Sequence, residues 1–218
     1  MFRIVTVERE YGCGGGTIAE KLAGRLGWKL WDQSLTEEIA SLANVDCAAV
    51  ERQGEKLDSR FYRLAKAFWR GSYERSVPLA DAQMFDADCM VSTMEKIMAK
   101  ITREGGAVVV GRGAPYFLRE RDDTFRVFLY APRDAKIRRL LAMGKSEEEA
   151  EELVEDVDRE RIAFIKHYFG ADWPTRSLYH IMINTVVGDE QVIATILDSM
   201  RRLEEKVSAK VSEIRGVR

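Results

Sequence analysis

Ile4-Val5-Thr6-Val7-Glu8-Arg9-Glu10-Tyr11-Gly12-Cys13-Gly14-Gly15-Gly16-Thr17-Ile18 is the stretch on which the fold turns. Its start, Arg3 to Glu8, is short and β-branched and predicts a strand. The chain then passes straight into glycines at 12, 14, 15 and 16. Beyond them Ile18, Leu22 and Leu26 recur at helical spacing, and Gly27 stands where a helix closes. Strand, glycine loop and helix in immediate succession open a βαβ unit. Such a loop has a physical use. Without Cβ atoms the backbone can turn successive N–H groups toward one anion, and the helix N-terminus adds its dipole.

Working outward, Trp28 to Trp31 predicts a second strand ending at Asp32. Gln33 to about Ile101 reads as mostly helical, with Leu57, Phe61, Leu64, Ala65 and Phe68 at helical spacing and a break around Gly71 to Pro78. Ala107 to Val110 is continuously apolar, as suits a strand buried on both faces, and runs into Gly111-Arg112-Gly113. Phe125 to Tyr130 predicts a fourth strand, stopped at Ala131-Pro132 and followed by a basic helix carrying Arg133, Lys136, Arg138 and Arg139. His180 to Ile183 predicts a fifth, and an amphipathic helix from about Glu190 to Val207 closes the chain. Alternating strands and helices predict an α/β fold of three layers around a parallel sheet. Ligands in such sheets bind at the carboxyl ends of the strands. Those ends are Arg9 to Gly16, Asp32, Gly111 to Gly113 and Ala131 to Arg133.

Two nucleotide-binding patterns can be tested letter by letter. The dinucleotide pattern G-x-G-x-x-G starts at Gly12 and Gly14 but needs glycine where Thr17 stands. The phosphate-loop pattern G-x-x-x-x-G-K-[ST], with Gly14 as its second glycine, needs glycine at Arg9 and lysine at Gly15. Neither fits as written. A flexible glycine turn without a ligand is the plain alternative, and the position between strand end and helix start favours an anion cradle.

Val5 to Ala23, with Arg9-Glu10-Tyr11-Gly12-Cys13-Gly14-Gly15 at its centre, resembles the cytidylate kinase-like family, a branch of the P-loop nucleoside monophosphate kinases. Gly12 to Thr17 matches the G-x-G-K-G-T loop of ordinary cytidylate kinases everywhere but the lysine, and this branch, with R-E-Y/F-G-S-G-G, lacks that lysine as a habit. The resemblance continues through Leu30-Trp31-Asp32, Val110-Gly111-Arg112-Gly113-Ala114, Val127 to Pro132, Asp158-Arg159-Glu160-Arg161, Tyr168-Phe169-Gly170 and Ile183-Asn184-Thr185. It is weakest from about Cys47 to Ile97 and departs at His180, where an aspartate is expected after Tyr179.

The resemblance implies a P-loop NTPase-type fold over residues 1–218, with a helical monophosphate-binding insertion at 45–100 and a helical lid at 143–175. It implies ATP and Mg²⁺, and transfer of a phosphoryl group to CMP or dCMP. The alternatives are a kinase of another small acceptor, or a nucleotide-binding protein without turnover because the lysine is absent. By resemblance Gly12, Cys13, Gly14, Gly15, Gly16 and Thr17 would cradle the ATP phosphates, with Thr17 adding a hydroxyl. Arg139 would flank the nucleotide base, Arg112 would hold the acceptor phosphate, and Asp32 would contact substrate or a magnesium-bound water. The plain reading of Asp32 is a helix cap for the segment that starts at Gln33.

The residues carry part of this themselves. Arg112 sits between two glycines at a buried strand's end, and a guanidinium fork suits a monophosphate bidentately. Ser146 to Phe169 opens with a capping box, Ser146 and Glu149, and its apolar positions Ala150, Leu153, Val154, Val157, Phe164 and Ile165 share one helical face. Arg161 falls on that apolar face, so it must snorkel out or point into a polar cleft. With the lid resemblance, Arg161 and then Arg159 become the arginines expected to meet the moving phosphoryl group. Arg9 is the candidate replacement for the missing lysine, its plain alternative being a surface ion pair with Glu8 or Glu10. Cys13 beside a helix N-terminus is a conceivable redox-sensitive thiol.

Composition bounds what remains. Two hundred and eighteen residues suffice for one domain with insertions. Lys and Arg number 34 against 36 Asp and Glu, a net charge of −2, which disfavours a general nucleic-acid binder. No apolar run suggests a membrane span, and the charged N-terminus does not read as a signal peptide. Cys13, Cys47 and Cys89 form neither a disulfide framework nor a metal knuckle, and His167 and His180 are not at ligand spacing. These features predict a cytoplasmic protein without a structural metal, acting on small-molecule nucleotides, with no nucleic-acid or membrane partner and an oligomeric state left open.

Overall fold

The β-branched run at the start of the chain forms β1 (Ile4–Arg9), buried at every residue. In the computed structural model, which describes residues 1–32 and 87–216, this strand is the middle of a five-stranded sheet. The other strands are β2 (Lys29–Trp31), β3 (Ala107–Val110), β4 (Thr124–Tyr130) and β5 (Ile181–Asn184). Their order is β2-β3-β1-β4-β5 and every pairing is parallel. The α-helices among the described residues are α1 (Gly15–Leu26), α2 (Ala87–Glu104), α3 (Ala114–Phe117), α4 (Arg133–Ala142), α5 (Glu147–Phe169) and α6 (Asp189–Gly216).

The two-residue period of β1 sends Ile4 to one face of the sheet and Val5 and Val7 to the other. Ile4, Val109 and Phe128 meet Met94, Ile97 and Ile101 of α2, together with Phe164 and Ile165 near the end of α5. Val5, Val7, Val108 and Val127 meet Ile18 and Leu22 of α1 and Val192, Ile193 and Ile196 of α6. Both faces are dry, which is why β3 carries no polar residue. This is the three-layer α/β architecture of P-loop proteins.

Three boundaries differ from the sequence reading. β1 extends one residue further, so Arg9 belongs to the strand. β5 starts after His180, whose Nδ1 accepts the Arg126 N–H at 2.9 Å. α6 runs to Gly216 rather than about Val207, its exposed side lined by pairs such as Arg202 with Asp198 and Arg201 with Glu205. The insertion expected at 45–100 lies outside the described residues up to position 86. Its remainder is the first part of α2, where Met94, Ile97 and Met98 are buried against the sheet. The lid expected at 143–175 is built on α5. Ser146 caps that helix by accepting the Glu149 N–H at 3.1 Å, while the Glu149 carboxylate pairs with Lys145 at 2.6 Å rather than returning to the cap.

Candidate active site

Parallel strands bring their carboxyl ends to one edge of the sheet, and the expected residues gather there because of that topology. The glycine loop leaves β1 and reaches α1 through Gly14, a left-handed residue at φ 79° and ψ 13° that gives the helix no side-chain cap. No acidic residue stands in the first turn of α1. The helix therefore supplies neither a capping side chain nor an acidic residue of its own to the opening N–H groups, which favours an anion at its N-terminus. Thr17 is the third residue of α1 and is half-buried. Gly15 and Gly16 are the first two.

Cys13 takes part in this loop by its backbone alone. Its side chain is wholly buried among the apolar residues under α1, with Sγ 3.6 Å from the Leu129 carbonyl. Its own carbonyl accepts from Thr185 Oγ1 at 2.7 Å. A thiol so enclosed is not presented to an oxidant, which corrects the expectation of redox sensitivity.

Arg161 reaches the site. Its Nη1 donates to the Arg9 carbonyl at 2.6 Å and to Asp158 Oδ1 at 2.9 Å, and its side chain is 10% exposed. Of the two outcomes the pattern leaves open, the arginine on the apolar stripe of α5 thus lies against the end of β1 rather than snorkelling out to solvent. Arg159, two positions back, points outward: its side chain is 70% exposed and pairs with Asp156 at 3.1 Å.

Arg9 is not a surface residue. It is 2% exposed; of its two alternative partners, Glu10 pairs with Lys136 at 2.6 Å, while Glu8 lies close enough for its carboxyl to feel the Arg9 charge. The Arg9 side chain runs from the start of α1 toward Gly111, where its guanidinium lies. Arg112, 6% exposed, holds a left-handed backbone at φ 59° between Gly111 and Gly113, a conformation that costs energy for a residue with a Cβ. Asp32 follows β2 beside the loop, its Oδ2 3.9 Å from the point that a Cβ on Gly16 would occupy. Arg139 reaches over the loop from α4, with Nη1 3.4 Å from the Gly12 carbonyl and its guanidinium against Gly14.

Four groups without a proposed site role in the sequence reading complete the site. Asp158 on α5 accepts the Tyr11 N–H at 2.9 Å and lies 3.5 Å from Lys136 of α4. Lys136, with 9% of its side chain exposed, joins Asp158 to Glu10. The chain of contacts Glu10–Lys136–Asp158–Arg161 ties α4 and α5 to Arg9, Glu10 and Tyr11, where the chain enters the glycine loop. Glu8 is the fourth, almost wholly buried on β1 with Oε1 accepting the Arg9 N–H at 3.3 Å. Burial pushes its carboxyl above the ordinary range, and Arg161 and Arg9 pull against that shift. Asp158 and Glu10 do lie inside the motifs read from the sequence. What local spacing lacks is the partner, which in each case stands on another element.

Among the described residues no three His, Cys, Asp or Glu side chains form a group that could hold a metal ion, and no helix is long and apolar enough to cross a membrane. Residues 4–186 match the cytidylate kinase-like family. No curated protein matches the sequence. Among solved structures, an uncharacterized protein from Eubacterium ventriosum is similar at 18% identity and a TM-score of 0.58, over 88% of this chain and 97% of that one. A gluconokinase from Sinorhizobium meliloti is similar at 13% identity and a TM-score of 0.52, over 95% of this chain and 96% of that one. At such identities the likeness speaks for the fold.

Proposed function

The chain belongs to the cytidylate kinase-like family, and from that premise we propose that it is an ATP-dependent nucleoside monophosphate kinase, acting in the cytoplasm on CMP or dCMP to give ADP and the corresponding diphosphate. One observation carries the reading: a helix N-terminus without a side-chain cap, behind a glycine loop, meets the buried Arg112 and the partly buried Arg161 at one edge of a parallel sheet. That arrangement suits two phosphate-bearing ligands facing each other.

Phosphoryl transfer asks little covalent chemistry of a protein. It asks for in-line placement, charge neutralisation and exclusion of water. In this reading the backbone of Gly12 to Thr17 holds the ATP phosphates, and Arg139 lies across the loop toward the nucleotide. Arg112 holds the acceptor phosphate as a fork. Arg161, with Arg159 when the lid segment 143–175 closes, bears on the transferring group, and Arg9 adds a cation at the end of β1. The helical insertion, residues 45–100, receives the nucleoside.

The residues present fit magnesium that arrives with the nucleotide. Thr17, which follows Gly16 in α1, and Asp32, whose carboxylate lies beside Gly16, would supply oxygen donors, and a magnesium ion keeps most of its shell as water and phosphate oxygen. When bound, that ion neutralises charge on the phosphates in flight.

A coupled ADP-release assay with magnesium-ATP against CMP, dCMP, AMP, GMP and UMP, with a no-acceptor control, tests the proposal. CMP or dCMP is expected to give the highest kcat/KM. Equal or faster turnover of another acceptor overturns the substrate, and no ADP with any acceptor overturns the activity.

A further inference from the structure

The loop departs from the phosphate-loop pattern at two positions, Arg9 where glycine is required and Gly15 where lysine is required. Six residues apart in the chain, they are in contact in the fold. A Cβ on Gly15 would stand 2.9 Å from Arg9 Cβ and 3.0 Å from Arg9 Cγ, well inside the spacing of about 3.5–4.0 Å at which carbon atoms rest. Gly15 does not have a left-handed φ, unlike Gly12 and Gly14. Its own backbone therefore does not call for glycine; the neighbouring arginine does. At the other end of that side chain, a Cβ on Gly111 would collide with Arg9 Nη1. Arg9 is thus seated between two positions that lack side chains, and its carbonyl is pinned by Arg161 at 2.6 Å. Its guanidinium lies between the glycine loop and the Gly111-Arg112-Gly113 turn.

We propose that Arg9 and Gly15 are a reciprocal exchange for the glycine and lysine of the phosphate-loop pattern. Arg9 supplies from the strand end the cation that the lysine supplies from the helix start, and its side chain fills the space that any residue at 15 would need. The two departures are therefore one. A lysine at 15 cannot coexist with Arg9, and a glycine at 9 leaves the loop without its cation. Arginine suits the buried position because a guanidinium stays charged where an ammonium shifts toward neutrality. The functional half rests on the kinase reading above; the steric half does not.

Gly15→Ala, Gly15→Lys, Arg9→Gly and the double variant Arg9→Gly/Gly15→Lys test both halves. The readouts are melting temperature, the ATP dissociation constant by calorimetry, and turnover with the best acceptor. Gly15→Ala and Gly15→Lys should each lower the melting temperature by about 3 °C or more, as overpacking does in a chain of this size. Arg9→Gly should weaken ATP binding or slow turnover by about ten- to a hundredfold, the loss of a charged hydrogen bond. The double variant should melt above Gly15→Lys and recover at least about tenfold of the Arg9→Gly loss. If Gly15→Ala melts with the wild type, the steric exchange is wrong. If the double variant folds and is no better than Arg9→Gly, the cation role is wrong. Should Arg9→Gly itself fail to fold, Arg9→Ala tests the cation role by its ATP dissociation constant and turnover, and Gly15→Ala alone tests the steric half, because alanine at 9 keeps the Cβ that a Cβ on Gly15 would meet at 2.9 Å. Wild-type protein that binds ATP and releases no ADP defeats the kinase reading alone, and the exchange then stands or falls on the dissociation constants.

Discussion

Two glycine turns lie side by side at the carboxyl ends of β1 and β3, built alike and suited to opposite tasks. Each reaches its helix through a left-handed glycine without a side-chain cap, Gly14 at φ 79° and Gly113 at φ 69°. The first opens a helix of 12 residues and the second a helix of only 4, so the aligned N–H dipoles that favour an anion belong to the first. The second places a side chain instead, Arg112, at a φ of 59° that glycine would adopt without cost. One turn offers backbone, the other a guanidinium. That pairing is what two phosphates require if they are to be held by different means and brought together.

The largest test of this contrast is Arg112→Gly. It relieves a left-handed residue yet removes a forked cation, so acceptor kcat/KM should fall by about a hundredfold or more. ATP affinity should stay near that of the wild type, and the melting temperature within about 3 °C. An equal loss in ATP affinity would mean that both turns serve one ligand. Gly14→Ala should do the reverse on a smaller scale. A Cβ there meets a left-handed backbone at φ 79° and would stand 2.6 Å from Arg139 Cζ, so ATP should bind about tenfold more weakly with the acceptor KM unchanged. An unchanged ATP dissociation constant breaks the assignment of that turn to ATP.

The smallest effect lies at the opposite edge of the sheet, where no ligand is proposed. His180 stacks on Phe125 with centroids 5.0 Å apart and accepts the Arg126 N–H at Nδ1, which only the neutral ring can do. Burial, and the Arg126 charge after it, lower its pKa. The unfolded chain therefore takes up this proton first, at about pH 6.5, so the contribution of His180 to stability is complete above that pH and is lost as pH falls below it. Between pH 7 and 5.5 the wild type should lose slightly more in melting temperature than His180→Asn, a small difference because the ring is partly open to solvent. Parallel curves for the two proteins would remove His180 from the account and leave the contrast between the turns intact.

Arginines show how far the sequence could be read. Arg161 was legible because a charge on the apolar stripe of one helix is a local anomaly, and the fold answers it with a carbonyl and a carboxylate at the end of β1. Arg126 was not. It lies within a strand, and only the fold turns its guanidinium onto the carbonyls of Leu178, Arg121 and Thr124 at the amino end of the sheet. Arg159 shares a motif with Arg161 and in this arrangement faces solvent, since two residues along a helix carry a side chain past the opposite side.

The sequence by itself determined the order of strands and helices, the glycine loop between β1 and α1, the turn around Arg112 and the buried stripe of α5. Each is written in spacing over a few residues, where backbone freedom and side-chain period act. Tertiary structure alone decided that Asp158 would meet the Tyr11 N–H across 147 residues of chain, that Lys136 would bridge Glu10 and Asp158, and that Arg9 would fill the space above Gly15. Those contacts arise because a parallel sheet collects strand ends from distant parts of the chain. A charge buried there takes its partner from whatever element the topology brings alongside.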